Sequence, residues 1–192
     1  MPIGRRQELL SWANAEKNRY IIEDDYDSEF RFAGRPIQTL QSIDDNQRVI
    51  YINTFSKSIA PSIRISYLVL PPGLVPVYRE KLGFYSCTVP SFEQYTLAKF
   101  IAGGYFEKHI NRMKKFYRIQ RDLVIKAIEE SRFHDSVQIL EEDAGLHFLL
   151  KVDTDRSDRE IIQAAADADI KISCLSEYLH TPDQRFAHTI LI

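Results

Sequence analysis

The sequence predicts an α/β fold, on the strength of three short apolar runs that each break abruptly into polar or turn residues. Tyr20-Ile21-Ile22 runs into Glu23-Asp24-Asp25, Val49-Ile50-Tyr51-Ile52 into Asn53-Thr54-Phe55-Ser56-Lys57, and residues 65–70 into Pro71-Pro72-Gly73. Runs of this length, set among stretches of helical spacing, read as strands of a buried sheet. Functional groups in such sheets collect at the carboxyl ends of the strands. The unusual residues of this chain fall there.

Each element follows from its own pattern. Residues 7–17 carry Leu9, Leu10, Trp12 and Ala13 as the apolar stripe of a helix that leads into the first strand. Residues 74–85 predict a second helix, and Ser91-Phe92-Glu93-Gln94 fits a capping box opening a third, which stops at Gly103-Gly104. Residues 105–131 predict a long helix with Phe106, Ile110, Met113, Tyr117, Val124 and Ile128 on its apolar side. Residues 137–140 and 146–152 read as strands, Ser157-x-x-Glu160 as a second capping box, and residues 170–174 and 189–192 as further strands. The pattern divides into a large-domain portion at 1–104 and, from 105 to 192, the long helix with a small α+β domain. The first helix begins almost at Met1, and Ile190-Leu191-Ile192 stops inside a strand pattern, so both ends read as cut.

Composition narrows the function classes. Apolar residues make up 44% of the 192 and charged residues 27%, which supports a packed core rather than disorder. A formal net charge of -2 argues against the whole chain being a nucleic-acid or membrane-surface binder. The N-terminus lacks the apolar stretch of a signal peptide and no run reaches membrane-span length, so a cytoplasmic protein is expected. Cys87 and Cys174 follow no metal or redox spacing and read as buried reduced thiols. The five histidines are scattered, so no metal site is expected, and His147, set in an apolar run, reads as a core histidine. Lys114, Lys115, Arg118 and Arg121 form a basic stripe that reads as a solvated helix face.

Two segments carry chemistry. Asp24 and Tyr26 share a face if the first strand continues that far, because side chains alternate along a strand. A carboxylate at the mouth of a sheet suits a protonated heterocyclic nitrogen, and a phenol two residues on suits a neighbouring ring oxygen. After the second strand, Lys57 lies among Thr54, Ser56 and Ser58, with Arg64 seven residues on. The amine is a nucleophile for an aldehyde and the guanidinium a planar fork for a phosphate.

The lysine segment resembles the Schiff-base loop of fold-type-I pyridoxal-phosphate (PLP) enzymes, and Asp24-x-Tyr26 resembles their cofactor motif. The resemblance implies a partial fold-type-I PLP-dependent transferase: part of the large-domain sheet plus the small C-terminal domain. By that likeness Asp24 pairs with the pyridine nitrogen and Tyr26 with the phenolic oxygen. Lys57 holds the cofactor, Thr54 and Arg64 contact its phosphate, and Ser56 is a further cofactor-binding candidate. The wording is closer still to the aminotransferase-like C-terminal domain of MocR-type regulators of the GntR family. Residues 21–30, Gly34-Arg35-Pro36, Pro2-x-Gly4 with Leu9-Leu10, and Ala144-Gly145-Leu146-His147 carry that likeness. Ser66 stands where the family's glycine is expected after Arg64-Ile65.

In that family a winged helix-turn-helix binds DNA, and the aminotransferase-like domain senses PLP or an amino compound. The resemblance therefore implies a PLP-binding sensor domain, a homodimer, a small amino compound or PLP as effector, and no sequence-specific DNA binding by this chain alone. Competing readings are a free-standing aminotransferase with a mis-assigned start and a catalytically silent dimerisation or interaction module.

Overall fold

The computed structural model describes residues 1, 3–32, 38–143 and 145–192. The motif residues Pro2, Gly34, Arg35, Pro36 and Ala144 lie outside the described residues. These residues divide into two compact units. The first holds Met1–Ser28 and the described part of 38–112; the second holds residues 29–32 and Met113–Ile192. The chain enters the second unit after Ser28 and again, inside the long helix, after Arg112.

In the first unit, helix α1 (Ile3–Asn14) precedes strand β1 (Ile21–Asp24), and strand β2 (Val49–Thr54) ends directly in the short helix α2 (Phe55–Ser58). Strand β3 (Ser66–Val69) and helices α3 (Val75–Leu82) and α4 (Ser91–Ala102) follow. β1 pairs with β2 in parallel, Ile21 opposite Val49 and Asp24 opposite Ile52, while β3 joins the other edge of β2 antiparallel. A parallel pair needs a long connection, and β1 and β2 lie far enough apart in the chain to allow one. Leu10, Leu40 and Val49 pack with Ile21 and Ile43 into a small core beneath the two parallel strands. Ala13 is buried with Leu10 as the helical spacing requires, whereas Trp12 faces out and takes the Arg19 guanidinium 5.0 Å over its ring.

Three local expectations change here. All four residues of β3 are exposed, so it is not the buried strand its apolar letters suggested; it is an edge strand paired only to β2. The expected capping box at Ser91 does not form, because α4 starts at Ser91 itself with Pro90 before it. The Gln94 amide turns instead to the Val89 carbonyl at 2.8 Å. Cys87 is exposed, and only Cys174 is buried. Between α4 and helix α5 (Tyr105–Glu129), Gly104 sits at φ +68°, a left-handed conformation that favours glycine and lets the chain restart a helix at once.

The second unit is built on an antiparallel sheet in the order β4-β5-β7-β6, from strands β4 (Val137–Leu140), β5 (Leu149–Val152), β6 (Ser173–Cys174) and β7 (Thr189–Leu191). Helix α6 (Asp158–Ala166) lies between β5 and β6 in the chain and opens on the complete Ser157/Glu160 capping box that its sequence predicts. Leu150, Cys174 and Ile190 form the buried centre, flanked by Val137, Ile139, Val152, Ile161, Ile162 and Ile128. His147 is exposed rather than in the core. Arg121 leaves the expected solvated stripe: it lies 4.8 Å over the Phe32 ring and donates to the Glu142 carbonyl. No helix among the described residues is long and apolar enough to cross a membrane, and none of their His, Cys, Asp and Glu side chains group as a metal site.

Candidate functional site

The parallel pairing of β1 and β2 brings both carboxyl ends to one edge of the first sheet, and all six sequence-predicted residues sit on the segments that leave it. Asp24 closes β1 and Tyr26 follows it. Thr54 closes β2, Ser56 and Lys57 lie in α2, and Arg64 lies on the stretch leading into β3. Exposure alternates from Ile21 to Ser28: Ile22, Asp24, Tyr26 and Ser28 face out, whereas Glu23, Asp25 and Asp27 are half-buried. The two-residue spacing of Asp24 and Tyr26 therefore holds past the last strand pair.

The three consecutive acids divide their work. Glu23 accepts from the Leu40 and Gln41 amides at 2.7 and 2.9 Å, with the Arg6 guanidinium 3.8 Å away. Asp25 accepts from the Tyr51 hydroxyl at 2.8 Å and the Ser28 hydroxyl at 2.9 Å. Both are spent on tying β1 to its surroundings. Asp24 takes no hydrogen bond from the described residues. Its charge is felt by Tyr26, whose phenol is pushed above its ordinary value first by burial, then by Asp27 and Asp24. At neutral pH this edge thus presents a protonated phenol beside an acid side chain that has no hydrogen-bond partner among the described residues.

The lysine segment is held by hydroxyls. Thr54 is the N-cap of α2, its Oγ1 accepting from the Ser56 amide at 3.3 Å. Ser56 Oγ donates its one proton to the Ile63 carbonyl at 2.6 Å and accepts from Thr54 Oγ1 and Arg64 Nη1, each at 3.2 Å. That proton is committed, so Ser56 braces the loop and orients Arg64, whose other N–H groups have no partner among the described residues. Lys57 is exposed, and its amine has no partner among the described residues. Ser58 is 1% exposed, and its hydroxyl has no partner there.

Several residues here were missed by sequence reasoning. Tyr51 reads only as a strand letter and Asn53 as the start of the polar break, although β2 runs on to Thr54 and a tyrosine and an asparagine two apart on it share a face and need partners there. The sequence pattern assigns no partners to Glu23, Asp25 or Arg6. Their sequence signal was the density of acids at a strand exit, which says that some must be paired without saying which.

This edge therefore carries a carboxylate, a phenol, hydroxyls, an amine and a guanidinium on adjacent segments. No family model matches the chain. It is 48% identical over 167 residues to the HTH-type transcriptional regulator YhdI of Bacillus subtilis, covering 87% of this chain and 35% of that protein. It is 36% identical over 169 residues to the probable rhizopine catabolism regulatory protein MocR of Rhizobium meliloti, covering 88% and 34%. The chain belongs to the aminotransferase-like domain family of MocR-type regulators. It spans about a third of the length of these relatives. The fold agrees: the Pyrococcus horikoshii kynurenine aminotransferase structure superposes with a TM-score of 0.83 at 28% identity, over 98% of this chain and 46% of that one. The MocR-type likeness expected from the sequence and its partial fold-type-I α/β architecture are both borne out.

Proposed function

We propose that this MocR-type domain binds PLP at the shared edge of β1 and β2 and serves as the effector-sensing part of a transcriptional regulator. The observation that carries the reading is the parallel register of Asp24 against Ile52. It supports one site for two segments that are some thirty residues apart in the chain.

The donor set fits the cofactor group by group. Asp24, exposed and without a hydrogen-bond partner among the described residues, would hold a proton on the pyridine nitrogen, in a charge-assisted contact of about 1.5–3 kcal/mol. Tyr26, kept protonated by burial and by its acidic neighbours, would donate to the ring oxygen. Thr54 and the free N–H groups of Arg64 would take the phosphate, with Ser56 fixing the guanidinium from behind. Lys57, unpartnered among the described residues, would be the amine that meets the aldehyde. PLP, when bound, supplies an electron sink for amino compounds; the protein supplies its orientation and the charge at each end of the ring.

On this reading the effector is PLP itself or a small amino compound, the assembly a homodimer, and the compartment the cytoplasm. DNA contact would belong to parts of the regulator other than this chain. The test is covalent trapping. Incubation with PLP, borohydride reduction and peptide mapping should place the pyridoxyl label on Lys57, and Lys57→Ala should remove it. Equal labelling of other lysines would count against the assignment.

A further inference from the structure

Asp24–Tyr26 and Thr54–Lys57 must keep a fixed spacing if they are to hold opposite ends of one rigid ring, since a binding site that is loose by about 1 Å loses much of its value. One backbone bond, from the Asp25 amide to the Ile52 carbonyl at 2.9 Å, contributes to this at the end of the ladder. Beyond it, a chain of side chains spans the same gap. The Asn53 amide nitrogen donates to the Tyr51 hydroxyl at 3.0 Å, and that hydroxyl donates to Asp25 Oδ2 at 2.8 Å. At the other end, the Thr54 backbone amide donates to Asn53 Oδ1.

The polarity of this chain is forced. An ionised carboxylate only accepts, so Tyr51 must give Asp25 its single proton. Its oxygen is then left to accept, and the partner there must be the NH2 side of Asn53. That turns the Asn53 oxygen toward the Thr54 amide. Asn53 is 4% exposed, so a reversed amide would leave its groups unpaired away from water, at a cost of about 1–3 kcal/mol. The accepting oxygen of Asp25 thereby sets the rotamer of a buried asparagine, and that asparagine holds the residue that caps the lysine helix.

We propose that Asp25, Tyr51 and Asn53 form a relay of positioning residues that locks the Asp24–Tyr26 segment to the Thr54–Lys57 segment. The proposal rests on the PLP-site reading above. On that reading none of the three would touch the cofactor; each would act through a neighbour that does, Asp25 through Asp24 and Tyr26, Asn53 through Thr54. Groups that act as one unit give non-additive losses when removed together.

The experiment uses the full chain with PLP as the probe, and compares wild type with Tyr51→Phe, Asp25→Ala and the double variant. Tyr51→Phe keeps the ring, so folding is preserved; Asn53→Asp, whose carboxylate competes for the Tyr51 proton, is a second route to the same break. Each single variant is expected to weaken PLP binding about tenfold, the value of one hydrogen bond of this kind, and the double to be no weaker than the worse single. At saturating PLP the visible absorbance maximum should shift, which a mere loss of stability would not cause. Without PLP, hydrogen exchange in Tyr51→Phe should quicken in both segments together. Wild-type affinity and spectrum in the single variants, or losses that multiply in the double, would overturn the relay and leave the site reading intact. A wild-type chain that takes up no PLP, or one whose label survives Lys57→Ala, overturns both.

Discussion

The two units use polar side chains for opposite ends. In the first, the sheet has three strands and a core centred on Leu10, Leu40 and Val49, and β3 lies open on its whole length. Its charged and hydroxyl groups gather at one sheet edge, where Asp24 and Lys57 have no partner among the described residues. In the second, ten apolar side chains surround an antiparallel sheet, and the polar groups brace it. Asp158 accepts from the His188 amide at 2.7 Å and from the Ser176 hydroxyl, pinning the start of α6 to the β7 and β6 neighbourhoods. A polar group that stabilises a fold is one whose partners are all internal. A polar group poised for a ligand is one whose partner is missing. The difference can be seen residue by residue.

The largest expected effect tests the core side of that comparison. Leu150 is 8% exposed at the centre of the second sheet, so Leu150→Ala should cost about 2–5 kcal/mol through lost burial and the cavity left behind. Urea unfolding followed by circular dichroism measures it. Lys57→Ala, by contrast, removes an exposed and unpartnered amine and should leave the midpoint unchanged. A comparable loss from the two would mean that Lys57 is part of the packing.

Next in size is the contrast between neighbouring acids. Asp24→Asn removes the charge facing the pyridine nitrogen and should weaken PLP roughly ten- to a hundredfold with no fall in melting temperature. Asp25→Asn keeps an oxygen that the Tyr51 and Ser28 hydroxyls can still use, so its effect on PLP should stay within about threefold, with a lowered melting temperature instead. Isothermal titration and thermal melts of both variants decide it. An exchange of the two outcomes would show that the exposed and internal faces of this segment are reversed.

How legible was this in the sequence? Period and punctuation carried the elements: β1, β2, β4, α5 and the Ser157 capping box fall where the letters put them. The exposure of β3 was not legible, since Tyr67, Leu68 and Val69 look the same on an open edge as in a core. Ser91 misled because Pro90 supplies the extended residue before the helix, so no side-chain cap is made. At the site, the residues that face outward were readable from spacing and resemblance. The relay was not, because Tyr51 and Asn53 act across the parallel pair, and only the register of β1 on β2 shows which acid they meet.

The smallest effect lies in the capping box, and it has a sign that pH can test. Glu160 has its carboxyl held below its ordinary value, first by the Ser157 hydroxyl and amide and then by Arg156. A carboxyl depressed in the folded state stabilises that state above its unfolded pKa, and the contribution is lost as pH falls through the folded one. For Glu160 the contribution is thus complete at neutral pH and fades below the ordinary value of 4.5, as the acid takes up its proton. Glu160→Gln retains a side-chain acceptor for the Ser157 amide but cannot titrate. Its melting temperature should lie slightly under that of wild type at neutral pH and approach it as the solution is acidified, while Asp24→Asn, with no hydrogen-bond partner to lose among the described residues, should show no such convergence. A Glu160→Gln offset that stays constant with pH would mean that the box acts through hydrogen-bond geometry alone, and that charge contributes nothing to how the second unit is braced.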